Sequence, residues 1–292
     1  MFIENEKIRI ECIPEHGGKL SSIFDKEKQI EFLFQNPKGS YKKATVGSDF
    51  SKFEASGFDD GFPSINPGIV KVGEKLIEYP DHGEVWSTAM EIEDDNALVL
   101  SFHSKILPYY FKKKIKIKEK SCIIDYSITN TGNVAFPAFY TFHCLVSCKK
   151  NMELLLPAST KKVEILASSR FLKLEETNYP ITEQGIDLSK PFLLKNGGDE
   201  MFNFKGKLAE GKVGYHFPEE KTNFLLNFDR KQLPYLGFWN TQGGYRGDFN
   251  VALEMSNGNH GSIEKAQMNN ACPIIEPGSK MEFSLGFELS DF

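Results

Sequence analysis

Three short stretches of the chain put an imidazole or a carboxylate where it could move a proton. In Tyr79-Pro80-Asp81-His82-Gly83-Glu84-Val85-Trp86 proline and glycine set a turn, and an acid, an imidazole and an indole crowd together. His143 follows an aromatic run, Phe136-Pro137-Ala138-Phe139-Tyr140-Thr141-Phe142, and Glu254 ends the run Phe249-Asn250-Val251-Ala252-Leu253. A carboxylate at the end of such a strand is either solvated at a rim or held in a pocket with its pKa raised. Imidazole and carboxylate, both tunable toward neutral pH, are the groups of general acid–base chemistry. Upstream of Glu254, the stretch Leu236–Tyr245 carries Trp239, the amides Asn240 and Gln242, and a flexible Gly243-Gly244. Indole faces stack on the apolar C–H faces of a pyranose and amides bond its hydroxyls, so these residues suit a sugar. Asp59 and Asp60, in the glycine-framed Ser56–Pro63, are a further candidate, and an Asx-type turn explains them equally well.

Each candidate has a structural alternative. Alternation from Thr141 puts His143 on the face of Phe139, so on these residues alone a core histidine is the leading reading. His103 sits in an alternating strand, while His16, His216 and His260 fall in turns or loops with nothing beside them to complete a mechanism. No close His/carboxylate spacing marks a metal. Of the arginines, Arg9, Arg170, Arg230 and Arg246, only Arg246 lies near a candidate motif. A phosphorylated sugar calls for a bidentate cation, so a neutral sugar is expected, with Arg246, or Lys52 in its place, as the cation that could say otherwise.

These side chains need strands to hold them. Period-two alternation runs through Ala97–Ile106, Tyr110–Ile117 and Cys122–Asn130, with turn clusters at Asp94-Asp95-Asn96 and Thr131-Gly132-Asn133. Strand-like runs recur at Lys7–Ile13, Asn223–Phe228, Asn250–Glu254 and Met281–Glu288. The best candidate for a helix is Ser168–Leu174, and Pro180–Leu208 reads as long polar loops. Many short strands without a fixed repeat predict an all-β sandwich or barrel with only short helices. No linker divides the chain, so residues 1–292 are expected to form one domain.

Composition narrows the partners. A net charge of −5 argues against a nucleic-acid surface, which needs a clustered basic excess. The one basic run, Lys112-Lys113-Lys114-Ile115-Lys116-Ile117-Lys118, reads as the solvated face of a strand, an edge guarded by lysines. No apolar run approaches the ~20 residues that span a bilayer, and the N-terminus lacks the features of a secretory signal. The scattered cysteines Cys12, Cys122, Cys144, Cys148 and Cys272 fit buried thiols in a reducing cytosol. A cytoplasmic protein is expected.

In order and spacing, Asp81-His82-Gly83 to Trp86, Pro137 to His143, and Leu236 to Asn240 with Ala252-Leu253-Glu254 resemble the aldose 1-epimerase (galactose mutarotase-like) family. The similarity extends from Ile8, Pro14, Gly17 and Gly18 to Glu276-Pro277-Gly278-Ser279. The resemblance implies a large antiparallel β-sandwich of the supersandwich type. It implies His143 as general acid, Glu254 as general base and His82 as a hydrogen-bonding partner of the sugar, with Asp59 or Asp60, Trp86 and Trp239 lining the cleft. Asn240 and Arg246 join them from the neighbouring stretch. The chain departs from the galactose-active pattern: Ala44–Asp49 holds no arginine, and His82-Gly83-Glu84 replaces His-Gly-Gly. Gly57-Phe58-Asp59-Asp60-Gly61-Phe62-Pro63 resembles instead a mutarotase-like branch. The implied reaction interconverts α and β anomers of a hexose and calls for no metal, nucleotide or redox cofactor. A non-catalytic carbohydrate-binding protein and another sugar isomerase or lyase are the alternatives on this scaffold. A monosaccharide is the expected partner, with the chain acting as a monomer or homodimer.

Overall fold

The structure is a computed structural model that describes residues 1–95, 97–169, 175–191, 197–259 and 261–292. Strands take up 49% of the chain and helices 5%, so the all-β expectation holds. The period-two runs form two large antiparallel sheets, of twelve and eight strands among the described residues. In the larger, Phe58–Gly61, Thr141–Cys144, Phe249–Ser256, Tyr235–Gln242 and Asp199–Phe204 lie side by side in that order at the centre. In the smaller, Lys280–Asp291 pairs with Thr222–Phe228 on one side and Ser121–Asn130 on the other, and Tyr109–Lys118 follows.

The two sheets bury their facing sides against each other. Phe58, Phe142, Phe238 and Leu253 of the larger sheet share one apolar cluster with Phe111, Ile124, Phe224 and Phe287 of the smaller. Full burial of each such side chain contributes about 1.5–3 kcal/mol, so this layer dominates the stability of the fold. The other face of the larger sheet carries a second, smaller cluster of Ala44, Phe50, Phe53, Ala55, Trp86, Leu145 and Ala252. These residues come mostly from loops laid over the sheet. Between those loops and the sheet lies the cleft described below.

Three sequence expectations change. The lysine run does not form a uniformly solvated face, because the strand Tyr109–Lys118 pairs on both sides as far as Lys114, and its edge begins only beyond that point. Lys113 points inward and is fully buried, its Nζ 2.7 Å from Asp60 Oδ2, so one lysine of the alternation neutralises a core carboxylate. Within Pro180–Leu208, Asp199–Phe204 is a strand between Lys162–Ser168 and Tyr235–Gln242. Its apolar alternation is hidden by Glu200, which is buried where a hydrophobe is expected. Of the proposed helix, Ser168 ends a strand and residues 170–174 lie outside the described ones. Ile263–Met268, capped by Ser262, is the α-helix among the described residues. It makes fewer than two turns, too short for a legible period. No helix among the described residues is long and apolar enough to cross a membrane.

Candidate active site

Alternation along two neighbouring strands sets the floor of the cleft. In Phe249–Ser256, Val251, Leu253 and Met255 face the core, so Asn250, Ala252, Glu254 and Ser256 face outward. Thr141 lies opposite Ser256, which brings His143 level with Glu254 on the adjacent strand. His143 Nε2 and Glu254 Oε1 are 4.0 Å apart, beyond hydrogen-bond range. A cavity of about 300 Å³ stands over them, lined among others by Phe50, Asp81, His82, Met201, Trp239, Tyr245 and Asn250.

A turn delivers His82 from above. Gly83 has φ +75° and packs so tightly that a Cβ would meet Phe62 O at 2.0 Å, so only glycine fits. Glu84 anchors the turn from below: its buried carboxylate accepts from Ser104 Oγ at 2.5 Å, Lys105 N at 2.8 Å and Tyr109 OH at 2.9 Å. The residue that breaks the His-Gly-Gly form thus fastens the loop. Asp81 Oδ1 lies 2.8 Å from His82 Nδ1, and its Oδ2 accepts from Phe50 N at 2.8 Å. An ionised carboxylate only accepts, so the shared proton sits on Nδ1 and Nε2 is left for a ligand. Burial pushes the Asp81 carboxyl up, but the His82 ring and the Phe50 amide outweigh it and hold the carboxyl below its usual value. The His82 ring stacks on Phe50 with centroids 3.9 Å apart and meets His143 edge-on at 5.2 Å.

Electrostatics at the pair follow from desolvation. Glu254, largely buried, is raised to about 7. Burial holds His143 well below its ordinary value, with the positive fields of His82 and Lys19 acting in the same sense. Both shifts favour the uncharged forms, as expected where neither charge is solvated. His143 Nδ1 is buried and has no protein partner.

The remaining candidates divide into those that line the cavity and those that do not. Trp239 lines the cavity, half-buried, with Tyr245 edge-on to it at 6.0 Å. Trp86 does not reach the cavity; it is buried behind Phe50, edge-on at 5.0 Å, and its Nε1 donates to Asp81 O at 2.9 Å. Asp60 projects into the core, where Lys113, Tyr126 OH and Tyr140 OH occupy its oxygens, so it offers nothing to a ligand. Asp59, opposite His143 on the next strand, is clamped by Lys19 Nζ at 2.5 Å and also stays out of the cavity. Burial raises its carboxyl against the pull of Lys19. Asn240 alternates to the core face beside Phe238, where its Oδ1 accepts from Gln242 Nε2 at 2.9 Å. Arg246 is exposed at the rim, its guanidinium 6.0 Å from the Tyr245 ring centre. His260 and Arg170 lie outside the described residues.

Sequence reasoning missed Phe50, Asp81 as the orienting carboxylate, and Asn250. Asn250 is buried in the cavity wall with both carboxamide atoms unpartnered by protein. Its signal was available: four residues before Glu254 on a strand is the same face. Phe50 gave none, because a loop phenylalanine far away in sequence declares no partner.

The chain matches no protein-family model and no curated protein at a significant level. Solved structures do match. A galactose mutarotase-like protein from Lactobacillus casei aligns over 99% of this chain and 99% of its own, with a TM-score of 0.73 at 18% identity. A galactose mutarotase related enzyme from Lactobacillus acidophilus aligns over 100% and 97%, with a TM-score of 0.71 at 15% identity. The fold is galactose mutarotase-like. A protein from Synechocystis sp. PCC 6803 shares the same supersandwich over 100% of this chain and 96% of its own, with a TM-score of 0.75 at 16% identity. At such identities the likeness carries the galactose mutarotase-like architecture, and the chemistry has to be argued from the cleft itself.

Proposed function

We propose that the protein is an aldose 1-epimerase that interconverts the α and β anomers of a neutral hexose. The observation that supports this most is the His143–Glu254 pair: two desolvated titrating groups 4.0 Å apart on the floor of an aromatic-walled cavity. A hemiacetal lying across the pair meets one group at the C1 hydroxyl and the other at the ring oxygen. Glu254 takes the hydroxyl proton as the C1=O bond forms, the C1–O5 bond breaks, and His143 protonates O5. The aldehyde turns about C1–C2, and the reverse transfers close the ring on the other face, so each group ends the cycle as it began.

The pair must therefore hold one proton between its members. With Glu254 raised to about 7 and His143 depressed, that proton rests on Glu254 in the empty cleft. A sugar hydroxyl donating to Glu254 favours the carboxylate, and the proton shifts to His143. His82, fixed by Asp81, and Asn250 bond ring hydroxyls, while Trp239 offers an apolar face. No arginine or lysine is among the described residues lining this cavity, which favours a neutral sugar over a phosphorylated one. The free thiols fit a reducing compartment, and we propose a cytoplasmic setting. The test is two-dimensional NMR exchange between anomers over a panel of free sugars. Acceleration well above the buffer rate for at least one aldose is expected. Sugar binding without acceleration for any of them would transfer the assignment to a carbohydrate-binding protein.

A further inference from the structure

The cleft does not stop at Glu254. A second compartment, of about 120 Å³, adjoins the first and shares with it Ile65, Asn66, Met201 and Glu254. It lies further along the same strands: its floor is Thr141, Ser256 and Gly237, where the first has His143, Asn250 and Trp239. Gly237 sits opposite Glu254 and supplies no side chain to fill the space over the sheet. Glu254 therefore stands on the border between the two, with His143 inside the first.

That border restricts which part of a sugar can enter. The ring occupies the larger compartment, with O5 at His143 and O1 at Glu254. A group reaching past Glu254 must then be attached at O1 or at C2. A substituted O1 cannot reopen, which leaves C2. At ~30 Å³ per water, the compartment has room for about four heavy atoms, too few for a second pyranose ring. Its walls are mixed: the carboxamides of Asn66, Asn203 and Asn259 carry donors and acceptors, Leu166 and Met201 are apolar, and the exposed Lys265 adds a cation that can donate to a carbonyl oxygen. An amide with a terminal methyl matches both.

We propose that the substrate is an aldose with a small acylamino group at C2, a 2-acylamino-2-deoxy sugar whose amide sits between these walls. The inference takes the position of C1 from the epimerase reading and is tested through binding, so that the two can fail separately. Dissociation constants of the full-length protein for N-acetylglucosamine and N-acetylmannosamine are measured by NMR titration beside those for glucose, mannose and maltose. The acylamino sugars are expected to bind about tenfold or more tighter than their parents, the usual effect of filling a fitted pocket with one small group. In Leu166→Trp, which places an indole in the compartment, that ratio is expected to fall toward one. Equal affinities in the wild type, tighter binding of maltose, or a preference that survives Leu166→Trp would each overturn the proposal. A clear preference without accelerated anomer exchange would uphold the compartment's role while removing the epimerase reading.

Discussion

Burial moves His143 and Glu254 in opposite chemical senses toward one result, a pair that carries a single proton near neutrality. In water the proton would sit on imidazole; in this cleft it sits on the carboxyl. The pH dependence follows with a definite sign. As pH rises through about 7 the pair loses the proton that the reaction needs, so kcat/KM should fall about tenfold per unit on the alkaline side. The acid limb, set by a second proton on His143, should lie well below that residue's ordinary value of 6.5. A profile that keeps rising beyond pH 8 would remove Glu254 from the role. Substitution separates chemistry from binding. Glu254→Gln retains the shape but cannot accept the C1 proton, and His143→Asn cannot donate to O5. Each should lower kcat by ~10²-fold or more with little change in sugar affinity, measured by exchange NMR and titration. Far-UV circular dichroism should be unchanged, since both side chains face the cleft rather than the core.

At the level of elements, strands that alternate faces decide whether a charged residue is catalytic, structural or solvated. Lys113, Lys114 and Lys116 belong to one run, yet Lys113 is buried against Asp60 while Lys116 is half-exposed and pairs with Asp125 at 2.5 Å. Removing one partner of a buried pair strands the other charge, at a cost of about 3–5 kcal/mol. An exposed pair is worth about 0–1 kcal/mol. Lys113→Met should therefore shift the urea midpoint far more than Lys116→Met, and comparable shifts would contradict the burial of Lys113. The loop at Asp81-His82-Gly83 shows the same logic in a turn. Gly83→Ala meets the Phe62 backbone and should displace His82, so it should weaken sugar binding even where the protein remains folded.

For the whole molecule, one apolar cluster draws on strands from Ile8 to Leu289, and the last strand lies in the middle of the smaller sheet. No cut through the chain leaves two intact cores, and we propose that it folds as one domain. Both tryptophans, Trp86 and Trp239, sit at or behind the cleft, so their fluorescence reports that region while far-UV circular dichroism reports the sheets. The two signals should change together in urea, in one cooperative transition. Separate midpoints would mean that the loops over the cleft melt independently of the sandwich.

The all-β class was legible in the sequence because period two is a local signal: in Ser121–Asn130 or Lys280–Asp291 every second residue declares the buried face without reference to any partner strand. His82, His143 and Glu254 were legible as titrating groups in unusual company, with their roles supplied by resemblance. Alternation within a strand could not say which face met the other sheet and which met the cleft, and that is why Asp60 and Asn240 looked equivalent to Trp239, while Trp86, in a turn, is screened from the cavity by the distant Phe50. The inward strand at Asp199–Phe204 was hidden by Glu200, whose burial depends on neighbours far away in the chain. Register between distant strands settled the rest. By pairing Thr141 with Ser256 it set His143 level with Glu254, and the removal of water around that pair, which shifts both groups, exists only once the sheets and loops have closed over it.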